Sequence, residues 1–242
     1  MTDILHRAPI DPRKPGDEPD GSGMPVDAHP RGVLVVDGVA LTGEQKAPPE
    51  GRVTWDEFLA WLDDKTRAEW VDGEVVPLSP SNLEHQDVIG FLYEFVLSFV
   101  RVKRLGRVYF GILMRLAARR SGREPDLLFV ANEHVDRFKG TLLDGPADLV
   151  VEVVSPDSDA RDRGDKFIDY EAAGIPEYWL LDPIRGAALF YQLGADGRYR
   201  LVPIGEDGIY RSAVLAGFSL HVEWLWQRPL PVAGDLLHEI GL

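Results

Sequence analysis

Alternation of apolar and polar positions from about Arg52 onward predicts many short strands separated by a few helices. Thr54, with Glu57 three residues later, is a capping-box start for a helix running through Leu62. Residues 68–78 (AEWVDGEVVPL) alternate about Asp72-Gly73, the strongest short hairpin signal in the chain. Ser81 or Asn82 can cap a helix reaching about Arg104, on which Val88, Phe91, Leu92, Phe95 and Phe99 form an apolar stripe. Residues 107–117 read as a strand in which Gly111 permits a bulge or a close backbone approach. Residues 127–130 form another short apolar strand, and residues 149–154 read as a strand buried on both faces. Residues 160–173 then read as a helix stopped by Gly174, followed by an apolar strand at 178–181. This strand–helix–strand unit favours a parallel pair with its helix packed on the sheet. A hairpin over 187–193 and 198–204 and apolar segments at 212–215 and 218–226 close the domain, with Trp224 and Trp226 as core or dimer contacts.

Composition adds the boundaries. The 242 residues are 45% hydrophobic and 27% charged, as expected for one sizeable globular core. Residues 1–30 are rich in Pro, Gly and Asp and are expected to be disordered, and residues 32–41 can form a hairpin or an added edge strand. The expected organisation is an arm over 1–50, a folded domain over 51–230 and a tail over 231–242. There is no cysteine, which excludes disulfides and thiolate metal sites. Without a signal peptide or a membrane-length apolar run, a cytoplasmic protein with no membrane partner is the simplest expectation.

One acid interrupts the buried strand at 149–154. An unpaired Glu152 carboxylate there costs several kcal/mol, so it needs a cation, a metal or a raised pKa. Asp126 stands at the mouth of the strand at 127–130, a second acid of the same kind. Lys166 and Tyr170, four residues apart, share a face of the helix between the two buried strands. Two acids on neighbouring strands with a lysine aimed from a helix suit metal and phosphate chemistry, because Mg²⁺ takes carboxylate oxygens and keeps positions for water and phosphate.

The ordered motifs Pro125-Asp126, Glu152-Val153-Val154-Ser155-Pro156, Arg161-Asp162 with Lys166 and Tyr170, and Gly174-Ile175-Pro176-Glu177-Tyr178-Trp179 resemble the Uma2 family of restriction-type endonucleases. That family belongs to the PD-(D/E)XK nuclease superfamily, and the resemblance spans roughly Thr54 to Trp226. It implies an α/β (α+β) restriction-endonuclease-like core, a mixed β-sheet flanked by helices, here with extra β-hairpins. It further implies Asp126 and Glu152 as ligands to Mg²⁺ or Mn²⁺, helped by the Val153 carbonyl, with Glu69 as an added metal contact. His85, in the family's His-Gln pair, is implied to contact phosphate or a metal-bound water. The superfamily lysine belongs two residues after the glutamate, where this chain has Val154, and Lys166 resembles its migrated replacement. Asp162 and Tyr170 would orient Lys166.

The expected function is therefore metal-dependent hydrolysis of nucleic-acid phosphodiesters, with DNA favoured over RNA and a homodimer as the working assembly. The formal charge of −14, from 26 basic and 40 acidic residues, works against phosphate binding. Arg115, Arg119, Arg120 and Arg123 belong to the marked basic concentration at 101–123 and are the expected nucleic-acid contacts, or else a solvated rim. Two alternatives keep the fold without the reaction: a binding or scaffolding module with a degenerate site, and a structural protein in which Glu152 pairs with Lys166 or Arg161.

Overall fold

The computed structural model describes residues 34–36, 39–41, 46–63, 65–79, 82–155 and 161–240. The expected disorder of residues 1–30 lies outside them. The chain divides into two units between residues 42 and 43. In the first, β1 (Leu34–Val36) pairs antiparallel with β2 (Val39–Leu41), one of the two forms expected for this segment.

The second unit is a mixed α/β structure with two six-stranded mixed sheets flanked by helices. It opens with α1 (Trp55–Trp61). The Thr54 backbone N–H donates to Glu57 Oε2 at 2.7 Å while Glu57 N–H donates back to Thr54 Oγ1, so the capping box forms as expected. Strands β3 (Ala68–Val71) and β4 (Glu74–Pro77) follow, joined by Asp72-Gly73. Both turn residues have positive φ, +46° and +94°, as a type I′ turn requires, which is why an Asp-Gly pair occupies it. Asn82 then caps α2 (Leu83–Lys103) by accepting the His85 N–H at 2.8 Å.

The expected single strand over 107–117 is two strands in different sheets. β5 (Gly106–Tyr109) belongs to one and β6 (Met114–Leu116) to the other, with the chain turning at Gly111, φ +61°. A residue able to take positive φ marks a switch of sheet here, not a bulge within one ladder. After β7 (Ser121–Arg123) and β8 (Leu127–Ala131) come β9 (Phe138–Lys139) and β10 (Leu142–Asp144), two short strands that the apolar pattern did not disclose. β11 (Leu149–Val153) leads through a π-helical turn (Asp162–Lys166) and α3 (Phe167–Ala173) to β12 (Glu177–Asp182). The unit closes with β13 (Ala187–Leu193), β14 (Tyr199–Val202), β15 (Ile209–Arg211), β16 (Ser219–His221) and α4 (Ala233–Leu236).

The central sheet has the order β14-β13-β12-β11-β8-β5, and β11 and β12 are its parallel pair, as the crossover predicts. Leu149, Val151 and Val153 share a core with the α2 stripe of Val88, Phe95 and Phe99, whereas Val150 and Val154 share a second core with Tyr170, Met114 and Leu143. Strand periodicity puts Glu152 on that second side, between the central sheet and the α3 and β6 elements. Each large apolar side chain buried here stabilises the fold by about 1.5–3 kcal/mol, which is what holds an acid in such surroundings. Trp224 is buried in the first core, as is Ala233 in the C-terminal stretch.

Glu177, at the head of β12, is a buried acid of another kind. Its carboxylate accepts hydrogen bonds from Trp179 Nε1, the Tyr210 and Ser212 hydroxyls and the Ala213 and Val214 N–H groups, at 2.6 to 3.0 Å. It ties the C-terminal segment to the central sheet.

Candidate active site

The site lies where β11 ends beside the start of β8. Val151 is the last position of β11 paired with β8, opposite Leu127. One further step along the register sets Glu152 opposite Asp126. The Val153 N–H, which β8 no longer satisfies through its backbone, donates to Asp126 Oδ2 at 2.8 Å. His85 in the first turn of α2 places Nε2 3.1 Å from the same oxygen. Asp126 Oδ1 accepts no hydrogen bond from the described residues. Its side chain is 18% exposed, against 2% for Glu152 and 0% for Glu69. Asp126 is therefore the acid that faces solvent.

Glu152 is held by the crossover helix. Lys166 Nζ donates to Oε2 at 2.8 Å and the Tyr170 hydroxyl donates to Oε1 at 2.6 Å, so the shared face expected of the two residues is the face turned to the acid. Lys166 Nζ also lies 3.2 Å from Asp162 Oδ1 and 3.4 Å from Glu69 Oε1. The π-helical turn and the following α-helix thus supply Asp162, Lys166 and Tyr170 together, and such turns recur at functional sites. Burial pushes the Glu152 carboxyl well up, with Lys166 opposing and Asp162, Asp126 and Glu69 adding to the rise. Burial works against the Lys166 charge, but Glu152, Glu69 and Asp162 outweigh it and hold the ammonium protonated. Burial and Glu152 likewise push the Tyr170 hydroxyl well up, so it acts as a donor.

Glu69 reaches the site from β3. Its Oε1 accepts the Glu124 N–H at 3.1 Å, and its Oε2 pairs with Arg123 at 2.9 Å. Burial alone would raise this carboxyl, yet Lys166 and Arg123 bring it below its ordinary range.

The four arginines expected on nucleic acid do not form one outward face. Arg123 is 2% exposed and links Glu69 to Asp169, to which it donates at 2.8 and 2.9 Å. Arg119 joins the same Asp169 at 3.1 Å, Arg120 pairs with Asp72, and Arg115 lies over the Trp55 ring beside Asp144. Each is paired with a nearby acid of this acidic chain, and of the four only Arg123 is withdrawn from the surface. Asp169 was not singled out from the sequence, because nothing local marks an acid one residue before Tyr170 as the partner of Arg123. Glu152 pairs with Lys166, which decides between the two partners foreseen for it.

Among these described side chains, five acidic groups (Glu69, Asp126, Glu152, Asp162 and Asp169) cluster with three cations (Arg119, Arg123 and Lys166). The donors nearest solvent are hard oxygens, which suit Mg²⁺ or Mn²⁺. No group of three His or acidic residues at metal-ligand spacing occurs among the described residues. The protein share of a cation shell would then be Asp126, Glu152 and backbone oxygen.

Two six-stranded mixed sheets and a parallel crossover thus bring acids to adjoining strand ends. The structure of a protein described as a putative nuclease belonging to DUF820, from Anabaena variabilis, superposes with a TM-score of 0.60 at 17% identity, covering 72% of this chain and 97% of that one. The sequence model of the Uma2 family, described as "putative restriction endonuclease", matches residues 55–223, and the chain belongs to that family. No curated protein matches the chain. Among the described residues no helix is long and apolar enough to cross a membrane.

Proposed function

We propose that the protein is a metal-dependent nuclease that hydrolyses phosphodiester bonds, with DNA the favoured polymer and a homodimer the working form. The observation that carries this reading is Asp126 and Glu152 at adjoining strand ends, with Lys166 Nζ 2.8 Å from Glu152 and Asp126 Oδ1 left open. A bound Mg²⁺ or Mn²⁺ would supply Lewis acidity toward a phosphoryl oxygen and lower the pKa of the water it holds. Asp126 Oδ1, the Val153 carbonyl and Glu152 are the groups that would hold it. A carboxylate has about four lone-pair sites, so Glu152 keeps capacity beyond its bonds to Lys166 and Tyr170. His85 and the Val153 N–H fix the Asp126 carboxylate by occupying its other oxygen. Lys166 offsets negative charge developing on the phosphate, and Asp162 and Tyr170 keep it and Glu152 in place.

The test is cleavage of supercoiled, linear and single-stranded DNA and of RNA at low salt, with Mg²⁺, Mn²⁺ or EDTA. Low salt matters because the chain is acidic and phosphate affinity falls with ionic strength. Cleavage that needs the metal and is lost in Asp126→Ala and Lys166→Ala is the expected result. Unchanged activity in either variant would remove the assignment.

A second reading, a binding module on the same fold, is favoured by the engagement of both Glu152 oxygens by Lys166 and Tyr170. It predicts nucleic-acid binding that persists in EDTA and in Asp126→Ala, without saturable Mn²⁺ binding.

A further inference from the structure

Glu69 has a second neighbour besides the site. The backbone N–H on its Oε1 belongs to Glu124, two residues before Asp126 on the same chain. Glu124 lines a cleft of about 480 Å³ walled by Leu59, Leu62, Leu113 and Leu142, with Arg67 beside it at the polar end. This volume lies within the roughly 300–1,000 Å³ typical of small-ligand sites, and apolar walls with a few converging polar groups are their usual lining.

Asp63, Thr66, Arg67, Glu124 and Thr141 supply the polar lining, and Arg67 and Glu124 form its ion pair. Arg67 Nε and Nη2 both approach Glu124 Oε1 at 2.6 Å, while Oε2 accepts no hydrogen bond from the described residues. The Glu124 side chain is 8% exposed and that of Arg67 52% exposed. The acid is thus largely sequestered while its guanidinium partner keeps N–H groups for a ligand. Gly111 contributes to the opening. A Cβ there would lie 3.5 Å from Glu124 Oε1 and 3.9 Å from Arg67 Nη2, so a longer side chain at 111 would crowd both groups.

We propose that this cleft binds a guanine base of the nucleic-acid strand, at a nucleotide flanking the scissile phosphate; the proposal rests on the nuclease reading of the adjacent site. The leucine side chains offer an apolar surface to a base ring. The Watson–Crick edge of guanine carries two adjacent N–H donors, which a carboxylate oxygen accepts, beside a carbonyl oxygen, which a guanidinium donates to. Adenine offers no ring N–H at that edge, and hypoxanthine lacks the exocyclic amine. Glu124 and Asp126 stand two residues apart in the chain, so the cleft adjoins the candidate site.

Fluorescence anisotropy with labelled thymidine hexamers, each carrying one guanine, hypoxanthine or adenine, tests the cleft in EDTA and so apart from cleavage. The wild-type protein is expected to bind the guanine hexamer about tenfold more tightly than the other two, the discrimination of one good base contact. Glu124→Gln, which sets an amide where the acceptor stood, should erase the preference. Thr141→Trp should do the same from an exposed rim position, by filling the cleft without touching the ion pair. Equal affinities, absence of hexamer binding, or a preference that survives both variants would overturn the proposal. Cleavage of the same hexamers with Mn²⁺ reports on the other reading. Guanine-selective binding without cleavage sinks the catalytic assignment and keeps the cleft, whereas cleavage without base preference does the reverse.

Discussion

The Tyr170 hydroxyl lies 2.6 Å from Glu152 Oε1, and both residues are buried. One helical turn earlier, Lys166 occupies the other oxygen of the same carboxylate. The helix therefore holds and orients the acid from a single face, which lets a carboxyl group sit in an otherwise apolar strand. Tyr170→Phe removes only the hydroxyl. We expect a loss of about 1.5–3 kcal/mol, the scale of a hydrogen bond to a charged group, seen as a lower urea midpoint. A midpoint unchanged from wild type would show that Glu152 does not need this donor.

Lys166 and Glu152 should show strong coupling. Lys166→Met leaves Glu152, Glu69 and Asp162 without their shared cation and should cost about 3–5 kcal/mol. Combining it with Glu152→Gln should cost less than the sum of the single changes, giving an interaction energy of about 0.5–3 kcal/mol in a double-mutant cycle. Strict additivity would mean that the two side chains act independently.

Asp126 should behave differently because it faces solvent. Asp126→Asn keeps a hydrogen-bond acceptor for the Val153 N–H and should change stability by no more than about 1 kcal/mol. Metal-dependent cleavage should nevertheless fall to background. Residual activity near wild type in a folded variant would place the reacting centre elsewhere.

Acid sensitivity can be located at the end of β12. Burial alone would raise the Asp182 carboxyl, but Arg185, through its side chain and its backbone N–H, and Arg163 hold it below its ordinary value of 3.8. A group whose folded pKa is lowered contributes stability above its unfolded pKa and loses it as pH falls through the folded value. Asp182→Asn should therefore cost about 1–3 kcal/mol at pH 7, with the gap to wild type closing below about pH 4. Urea midpoints at four pH values read this directly, and a gap that widens on acidification would refute it.

Gly106 permits the close approach of β5 to β8. A Cβ there would stand 2.1 Å from the Val130 carbonyl oxygen and 2.9 Å from the Ala131 Cα, both backbone atoms that cannot swing aside. Gly106→Ala should destabilise by about 3 kcal/mol or more, beyond the usual range for overpacking by a methyl group. Thermal unfolding indistinguishable from wild type would mean that the strand edge yields.

The amino-acid sequence by itself determined the elements and the anomaly. Capping at Thr54, the Asp72-Gly73 turn, the α2 stripe and the parallel crossover are local patterns, legible because period and turn chemistry act over a few residues. Glu152 announced itself as an acid in an apolar strand and Lys166 as one of two candidate partners, with Tyr170 on the lysine's face by their spacing of four; that the Tyr170 hydroxyl itself reaches Glu152 came only from the structure. Asp126 could be singled out by its place at a strand mouth within motifs that resemble the Uma2 family.

Only the tertiary structure decided which distant charges meet. Arg123 belongs to a basic stretch in the sequence, yet it is buried because β7 lies beside β3 and below α3, between Glu69 and Asp169. Glu177 is as buried as Glu152, but five donors from its own strand and the C-terminal segment satisfy it and leave it structural. The split of residues 107–117 between two sheets likewise follows from pairing with β8 and β7. Local sequence sets period and turn, whereas the neighbours of a buried charge are set by strand order and register across more than a hundred residues.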